Sequence, residues 1–320
     1  DDKIIKGDSL YFESERNYAA ATKNVSIFDS LNNSIITGHY GEIFKAKDSA
    51  IITRRAMAIN IVDNDSLFIH ADTLVATGPE DKRILRGYYD VRILKSDIRG
   101  RSDSIYLDES IGLTKLLNKP LTKKQEQVFT EADRNASNPV LWFGESQMTG
   151  NKIFLLSDLE TKKLDSIKIT GNVFIIEKDT LSSDGFQQIK GGLLDGAFEN
   201  GKLDNIVITK NTEMVYYLYN DEDLQLIGID KTTCSALKMN FVEGQIDDIT
   251  FLVSPIGDVY PEDEIPLNDR TLKGFIWRIK ERPETVEDLF DENDEADQFP
   301  EILKFQFPEE SEKKESEKKS

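Results

Sequence analysis

Apolar residues recur along this chain in short runs that alternate with polar ones at a period of two, the spacing of a strand with one buried face. The clearest form is a five-residue motif: Asp, a small polar or acidic residue, then apolar, any, apolar. It occurs eight times, as Asp8-Ser-Leu-Tyr-Phe12, Asp48-Ser-Ala-Ile-Ile52, Asp65-Ser-Leu-Phe-Ile69, Asp72-Thr-Leu-Val-Ala76, Asp103-Ser-Ile-Tyr-Leu107, Asp165-Ser-Ile-Lys-Ile169, Asp204-Asn-Ile-Val-Ile208 and Asp247-Asp-Ile-Thr-Phe251. Asp and Ser bond nearby backbone groups and favour turns, so each copy predicts the start of a strand. The positions two and four after the Asp then share one face. Leu10 and Phe12, Leu67 and Ile69, Ile105 and Leu107, Ile167 and Ile169, and Ile206 and Ile208 should all point into a common interior.

Further alternating runs lie between the copies: Val25-Ser-Ile27, Val91-Arg-Ile93, Val173-Phe-Ile175 and Val215-Tyr-Tyr-Leu-Tyr219. Glycines punctuate them, among them Gly38, Gly87, Gly150, Gly171, Gly201 and Gly244. Short strands joined by Gly, Asn and Asp turns predict an all-β chain. Several copies of the motif stand near 40 residues apart, a period that would also suit a propeller blade, but the Trp and Gly signature of such blades is absent.

Two segments break the pattern. Thr122-Lys-Lys-Gln125, after Pro120, reads as a capping box and predicts a short helix over 123–134. A helical turn is expected over 285–290, after Pro283. The expected organisation is a first β half over 1–110, a helical insertion over 111–138, a second β half over 139–282 and an acidic, largely disordered tail over 283–320. That tail has 14 acidic and 5 basic residues from Glu284 onward, and its last 13 residues include no apolar side chain to offset the entropy of ordering. The opening at Asp1, without Met, suggests a processed or trimmed start.

Composition narrows the function. Forty basic against 59 acidic residues give a formal charge of -19, which argues against nucleic acid and against an anionic membrane surface. One cysteine, Cys234, excludes an internal disulfide and a Cys-based zinc site. His39 and His70 read as surface turn residues, and Cys234 as a small strand residue. The repeated Asp does not fit a calcium loop, because the residues after it are strand residues rather than oxygen donors around an ion. Asn-x-Ser matches at Asn24, Asn32, Asn64 and Asn135 are too common in so polar a chain to carry weight. No phosphate loop, nucleophile elbow or zinc-protease motif is present, so no enzyme, cofactor or metal is expected. The strand-borne aromatics serve a solid core or an apolar groove equally well.

Several stretches resemble a known family. Gly7-Asp-Ser-Leu-Tyr11, Asn24-Val-Ser-Ile-Phe-Asp29, Ile36-Thr-Gly38 and Ala71-Asp-Thr-Leu74 are similar to the strand pattern of OstA-like (LptA-like) periplasmic lipopolysaccharide-transport proteins of Gram-negative bacteria. Pro139-Val-Leu-Trp142, Gln147-Met-Thr-Gly150, Gly228-Ile-Asp-Lys-Thr-Thr-Cys-Ser-Ala236 and Gly274-Phe-Ile-Trp277 resemble its longer members, so the likeness covers about 4–282. The resemblance implies an open, folded-over antiparallel β-jellyroll with no catalytic residues, carrying the acyl chains of lipopolysaccharide or lipid A in an apolar interior. The lipid groove would be lined by Leu10, Phe12, Val25, Ile27, Leu67, Ile69, Ile105, Leu107, Ile167, Ile169, Ile206 and Ile208. Other OstA-like β modules would pair with open sheet edges, expected near 3–12 and 274–280. The length, helical insertion and acidic tail depart from the small bridge proteins of the family. A structural or surface β interaction domain with a solid core is the alternative.

Overall fold

A computed structural model describes residues 3–29, 33–62, 65–79, 82–119, 121–220, 222–242 and 245–290. Gly244, Asn32, Asn64, Pro120 and the tail from 291 onward lie outside them. The fold is all-β, as the alternation predicts. Strands β1 (Lys3–Lys6), β2 (Ser9–Glu13), β3 (Tyr18–Asp29), β4 (Ser34–Phe44), β5 (Ser49–Val62), β6 (Asp65–Thr77), β7 (Ile84–Leu94), β8 (Ile98–Asp108) and β9 (Leu113–Leu117) precede two short helices, α1 (Lys123–Val128) and α2 (Glu131–Ala136). Then come β10 (Val140–Phe143), β11 (Ser146–Thr149), β12 (Lys152–Ser157), β13 (Leu164–Lys178), β14 (Phe186–Glu199), β15 (Lys202–Tyr219), β16 (Leu226–Val242), β17 (Gln245–Val253) and β18 (Ile256–Tyr260).

All strand pairs are antiparallel, and the long strands β3–β8 and β13–β16 bend at one common level. There the ladder skips Lys23–Asn24, Arg54–Arg55, Tyr89–Asp90, Gly171–Asn172 and Lys210–Asn211, whose φ values run from 47° to 71°. Opposite each pair a single residue is skipped, respectively His39, Asp72, Asp103, Gly192 and Ser235. Two left-handed residues against one form a bulge that turns a strand sharply, and repeating it on every second strand folds the whole sheet along a line. The result is an open sheet doubled over into two leaves. The front leaf holds β1, β10, β11 and β18, the back leaf β2, β9, β12 and β17, and the long strands run through both.

At four positions two short strands in line replace one long strand, and side chains sew up three of these breaks. Asn24 donates to Asp8 (3.2 Å), Asn172 to Asn151 (3.0 Å) and Asn118 to Asn138 (2.9 Å). The last contact closes the neck of the helical insertion, which therefore leaves the sheet at the fold line. The insertion is shorter than expected, because Leu113–Leu117 is the strand β9. Its helix is also split in two. Thr122 and Gln125 form the expected capping box, but Thr130 and Asp133 form a second one that starts α2.

The Asp motif plays two roles. Asp48, Asp65, Asp165, Asp204 and Asp247 stand at or near strand starts, whereas Asp8, Asp72 and Asp103 stand on the fold line, where a new straight segment begins. In both roles the apolar positions that follow face inward. Across the back leaf Ile52, Leu74, Ile105, Leu116, Ile153, Ile169, Leu194, Ile208 and Leu237 form one row, each at most 2% exposed. Burying each such side chain contributes roughly 2 kcal/mol. Gly87 sits in this row because a Cβ there would stand 2.8 Å from Ile105 Cγ2.

Residues 261–290 do not add to the sheet. They cross the outside of the front leaf as a strap. Ile265 and Leu272 pack on Phe174, Ile176, Val215, Tyr217 and Ile229, while Phe275 and Trp277 meet Phe186 at 5.1 and 5.4 Å between ring centroids. Gln147 donates to the Ile276 carbonyl (2.8 Å) and accepts from the Arg278 N–H (2.7 Å). Gln188 does the same with the Arg270 carbonyl (2.8 Å) and the Leu272 N–H (2.9 Å). Two expectations are corrected here. The segment 274–280 is not an edge strand, since its apolar side chains are used against the leaf beneath, and the last edge is β17 and β18. The segment 283–290 belongs to the strap, with Pro283 and Leu289 buried and a 3-10 turn at Glu287–Leu289.

Asp90, in the fold-line bulge of β7, links this strap to the leaf. It pairs with Arg92 (2.5 Å) and Arg101 (2.9 Å), and Arg101 also reaches Glu281 (3.3 Å). Burial alone would push the Asp90 carboxyl up, but the Arg92 hydrogen bond and the two guanidinium charges outweigh it and hold the group below its usual value. A lowered carboxylate stabilises the fold above its unfolded value of about 4, and that contribution is lost as pH falls through the folded value. Asp90→Asn should therefore cost about 1–2 kcal/mol at neutral pH and less at pH 3, read from urea midpoints across pH. An equal loss at both pH values would sink this account.

Candidate functional site: two apolar cavities between the leaves

Near the fold line the interior is solid. Away from it, where the strands end in turns, two cavities lie between the leaves. The first, about 650 Å³, is lined by Ile5, Ile27 and Ile36 of the front leaf and by Ile43, Phe44, Ala50 and Ala76 of the back leaf. The second, about 780 Å³, is lined by Phe143 and Met148 in front and by Phe198, Leu203 and Phe241 behind. Phe143 and Phe198 meet across the leaves at 5.6 Å between ring centroids. Both volumes fall in the range of ligand pockets, roughly 300–1,000 Å³.

Charges rim both openings. At the first, Arg83 binds Asp29 in a pair that is almost wholly buried, and Lys45 and Asp48 stand beside it. Burial pushes the carboxyl of nearby Glu109 up, against the charges of Arg83 and Lys162. At the second, Glu145, Glu177 and Asp179 face Lys178 and Lys202. Ser146 donates to Glu177, and the Tyr219 hydroxyl donates to Asp179 (2.9 Å). Burial, reinforced by the Glu177 and Asp179 charges, raises the Tyr216 hydroxyl above its ordinary value. An apolar pocket with a charged rim suits a ligand with an apolar body and a polar end.

The structure sorts the twelve residues expected to line a groove. Ile27 lines the first cavity. Val25, Ile69, Ile105, Ile167, Ile169, Ile206 and Ile208 are at most 3% exposed and form the packed floor beside the fold line, while Leu67 and Leu107 are half-buried against it. Leu10 and Phe12 are both 58% exposed. Leu10 continues the inner row through Ala21 and Gly41, but β2 is the edge of the sheet, so no described strand covers these two from the far side. Phe44 and Phe143 are among the strand aromatics that suit either a core or a groove, and the structure places them on the cavities; Phe198 and Phe241 are lining residues that pattern reading passes over. Their signal was available: each phenylalanine stands at or next to the end of a strand, away from the fold line.

The remaining chemistry-bearing residues stand apart. His70 is not a surface turn residue: it is 3% exposed within β6, with Nδ1 2.8 Å from the Ala56 carbonyl oxygen. His39 is half-buried on the fold line, and Cys234 is buried in β16, where burial pushes its thiol up. Among the described residues no group of three or more His, Cys, Asp or Glu is placed to hold a metal ion, and no helix is long and apolar enough to cross a membrane.

No protein-family model matches the chain, and no curated protein matches it. Among solved structures it is similar to LptH of Pseudomonas aeruginosa, described as the LptA-homologous periplasmic component of the lipopolysaccharide transport device. Identity is 11%, the match covers 38% of this chain and 85% of that one, and the TM-score is 0.33.

Proposed function

We propose that this protein is a non-enzymatic periplasmic carrier that holds the acyl chains of an amphipathic lipid, lipopolysaccharide or lipid A, between its two leaves. The observation that carries the reading is the pair of apolar cavities with charged rims at the open side of a folded sheet. The sequence resemblance to the OstA-like pattern supports the choice of lipid. Each buried methylene is worth about 0.8 kcal/mol, so a chain of about a dozen carbons in a sealed slot would gain roughly 10 kcal/mol, too much for transfer. Open-sided cavities moderate that gain. The exposed apolar edges suit pairing with further β modules: Ile4, Leu10 and Phe12 at one side, and Val253, Ile256 and Val259 at the other, are 48–76% exposed.

The solid floor favours a second reading, a β interaction domain that uses only its edges. Binding decides between the two. The folded protein should bind lipid A saturably, and photoreactive groups at Phe44 or Phe198 should crosslink to it. A group at Ile69, on the packed floor, should not. Ala50→Trp fills the first cavity without emptying any core position. It should weaken binding roughly tenfold if that cavity holds the chains, with an unchanged melting temperature. Absence of saturable binding by the folded wild type leaves the interaction-domain reading.

A further inference from the structure

On the outer face of the back leaf, near its β2 edge, small and aromatic side chains make a shallow dish. Strand alternation puts Tyr11, Ala20 and Glu42 side by side there, since Tyr11 pairs with Ala20 and Ala20 with Glu42, while the inner row runs through Ala21 and Gly41. Tyr18 stands two residues before Ala20, on the same strand and the same face. Ala20 is therefore a low floor, walled by Tyr11 on one side, by Glu42 on the other and by Tyr18 at one end. The Tyr11 and Tyr18 rings stand edge to face with centroids 6.3 Å apart, and Tyr18 leans on Phe44 at 5.3 Å.

Only one oxygen of the carboxylate is used. The hydroxyls of Tyr18 (3.0 Å) and Tyr40 (2.7 Å) both donate to Glu42 Oε1. Oε2 accepts no hydrogen bond among the described residues, and no described lysine or arginine pairs with it. Burial, and then the Glu42 hydrogen bond, pushes the Tyr18 hydroxyl up to about 12, so it stays a donor well above neutral pH. The rings add negative character of another kind, since the face of an aromatic ring is the negative part of its quadrupole. The protein's own cations already meet the flanking rings: Arg54 Cζ is 5.9 Å from the Tyr40 centroid, and Lys47 Nζ is 6.0 Å from that of Phe44. Among the described residues no cation stands over Tyr11 or Tyr18, and Tyr11 is 56% exposed.

We propose that this dish binds a small organic cation, a substituted ammonium group such as the trimethylammonium of choline. The Tyr11 and Tyr18 rings receive the cation, and Glu42 Oε2 balances its charge. Such a group spreads its charge over several carbons, so it leaves water more readily than a bare ammonium and gains from rings and carboxylate together. The formal charge of -19 draws cations toward the whole surface, and the dish holds one in place. The site lies on the opposite face of the back leaf from the two cavities. It is independent of the lipid reading and needs no occupant between the leaves.

The test is a titration of the full chain with choline chloride at low ionic strength, followed by the ring signals of Tyr11 and Tyr18 in nuclear magnetic resonance. Saturation in the millimolar range is expected. The neutral analogue with a tert-butyl group in place of trimethylammonium should bind more weakly by roughly threefold or more. Tyr11→Phe keeps the ring and should keep the affinity. Tyr11→Leu removes the ring and Glu42→Gln the charge, so each, read at Tyr18, should weaken binding roughly threefold or more with the melting temperature little changed. Ala20→Leu raises the floor and should abolish binding. Dodecylphosphocholine below its micelle concentration, competed with choline at the same ring signals, separates two sources of the group. Tighter binding than choline marks a lipid head group, and equal or weaker binding a soluble ligand. No saturation by either, equal binding of choline and its neutral analogue, or equal binding by wild type, Tyr11→Leu and Glu42→Gln overturns the proposal and leaves the rings as cross-strand packing.

Discussion

Gln147→Leu should lower the unfolding free energy by about 3 kcal/mol and open the strap to protease. The side chain is fully buried and makes two hydrogen bonds to the strap, one in each direction. Leucine is of similar size, so little volume is lost. What remains is a buried Ile276 carbonyl and a buried Arg278 N–H without partners, at about 1–3 kcal/mol each. Gln188→Leu should act the same way on Arg270 and Leu272. The double variant should lose less than the sum, because a strap already detached has nothing more to lose at the second glutamine. Trp277 fluorescence should shift toward that of an exposed indole in the double variant. Additive losses with cleavage unchanged would show that the glutamines matter only within the sheet.

Arg83→Met should cost about 3–5 kcal/mol, because it removes the guanidinium that pairs with the Asp29 carboxylate, which is 2% exposed at the first cavity. Adding Asp29→Asn should recover much of the loss, since the neutral pair no longer carries a buried charge. Urea unfolding of the four proteins in this cycle gives the coupling directly. If the rim pair also positions the polar end of a ligand, the double variant should fold well and still bind lipid A less tightly. A double variant as unstable as Arg83→Met would show that packing of the arginine stem, and not its charge, is what counts.

Residues explain why parts of this fold were readable and others were not. The Asp motifs announced inward-facing apolar positions at +2 and +4 correctly, because the strand period of two is a local property. The same motif on the fold line could not be told from a strand start, since both are places where a straight segment begins after an Asp. Phe275-Ile-Trp-Arg-Ile279 reads as a strand, and only its contacts with Phe186 and Gln147 show that it lies across the leaf. The runs 173–176 and 215–219 held a clue to that strap. Unbroken apolar text is the mark of a strand covered on both faces, and here the inner cover is the core and the outer cover is the strap.

The sequence by itself determined the strand class, the inward face of nearly every strand, the capping box at Thr122 and the absence of any recognisable catalytic motif. Each of these depends on residues within a few positions of one another. Tertiary structure alone decided which strands reach the edges, where the sheet doubles over, and which inward residues seal a floor and which line a cavity. Those depend on distance from the fold line. Ile208 and Phe198 both face inward from neighbouring strands, but Ile208 lies beside the bend on the sealed floor, and Phe198 lies at the far end of its strand, where it lines a cavity. The pattern of a single strand encodes its face and leaves that distance to the register of all the strands together.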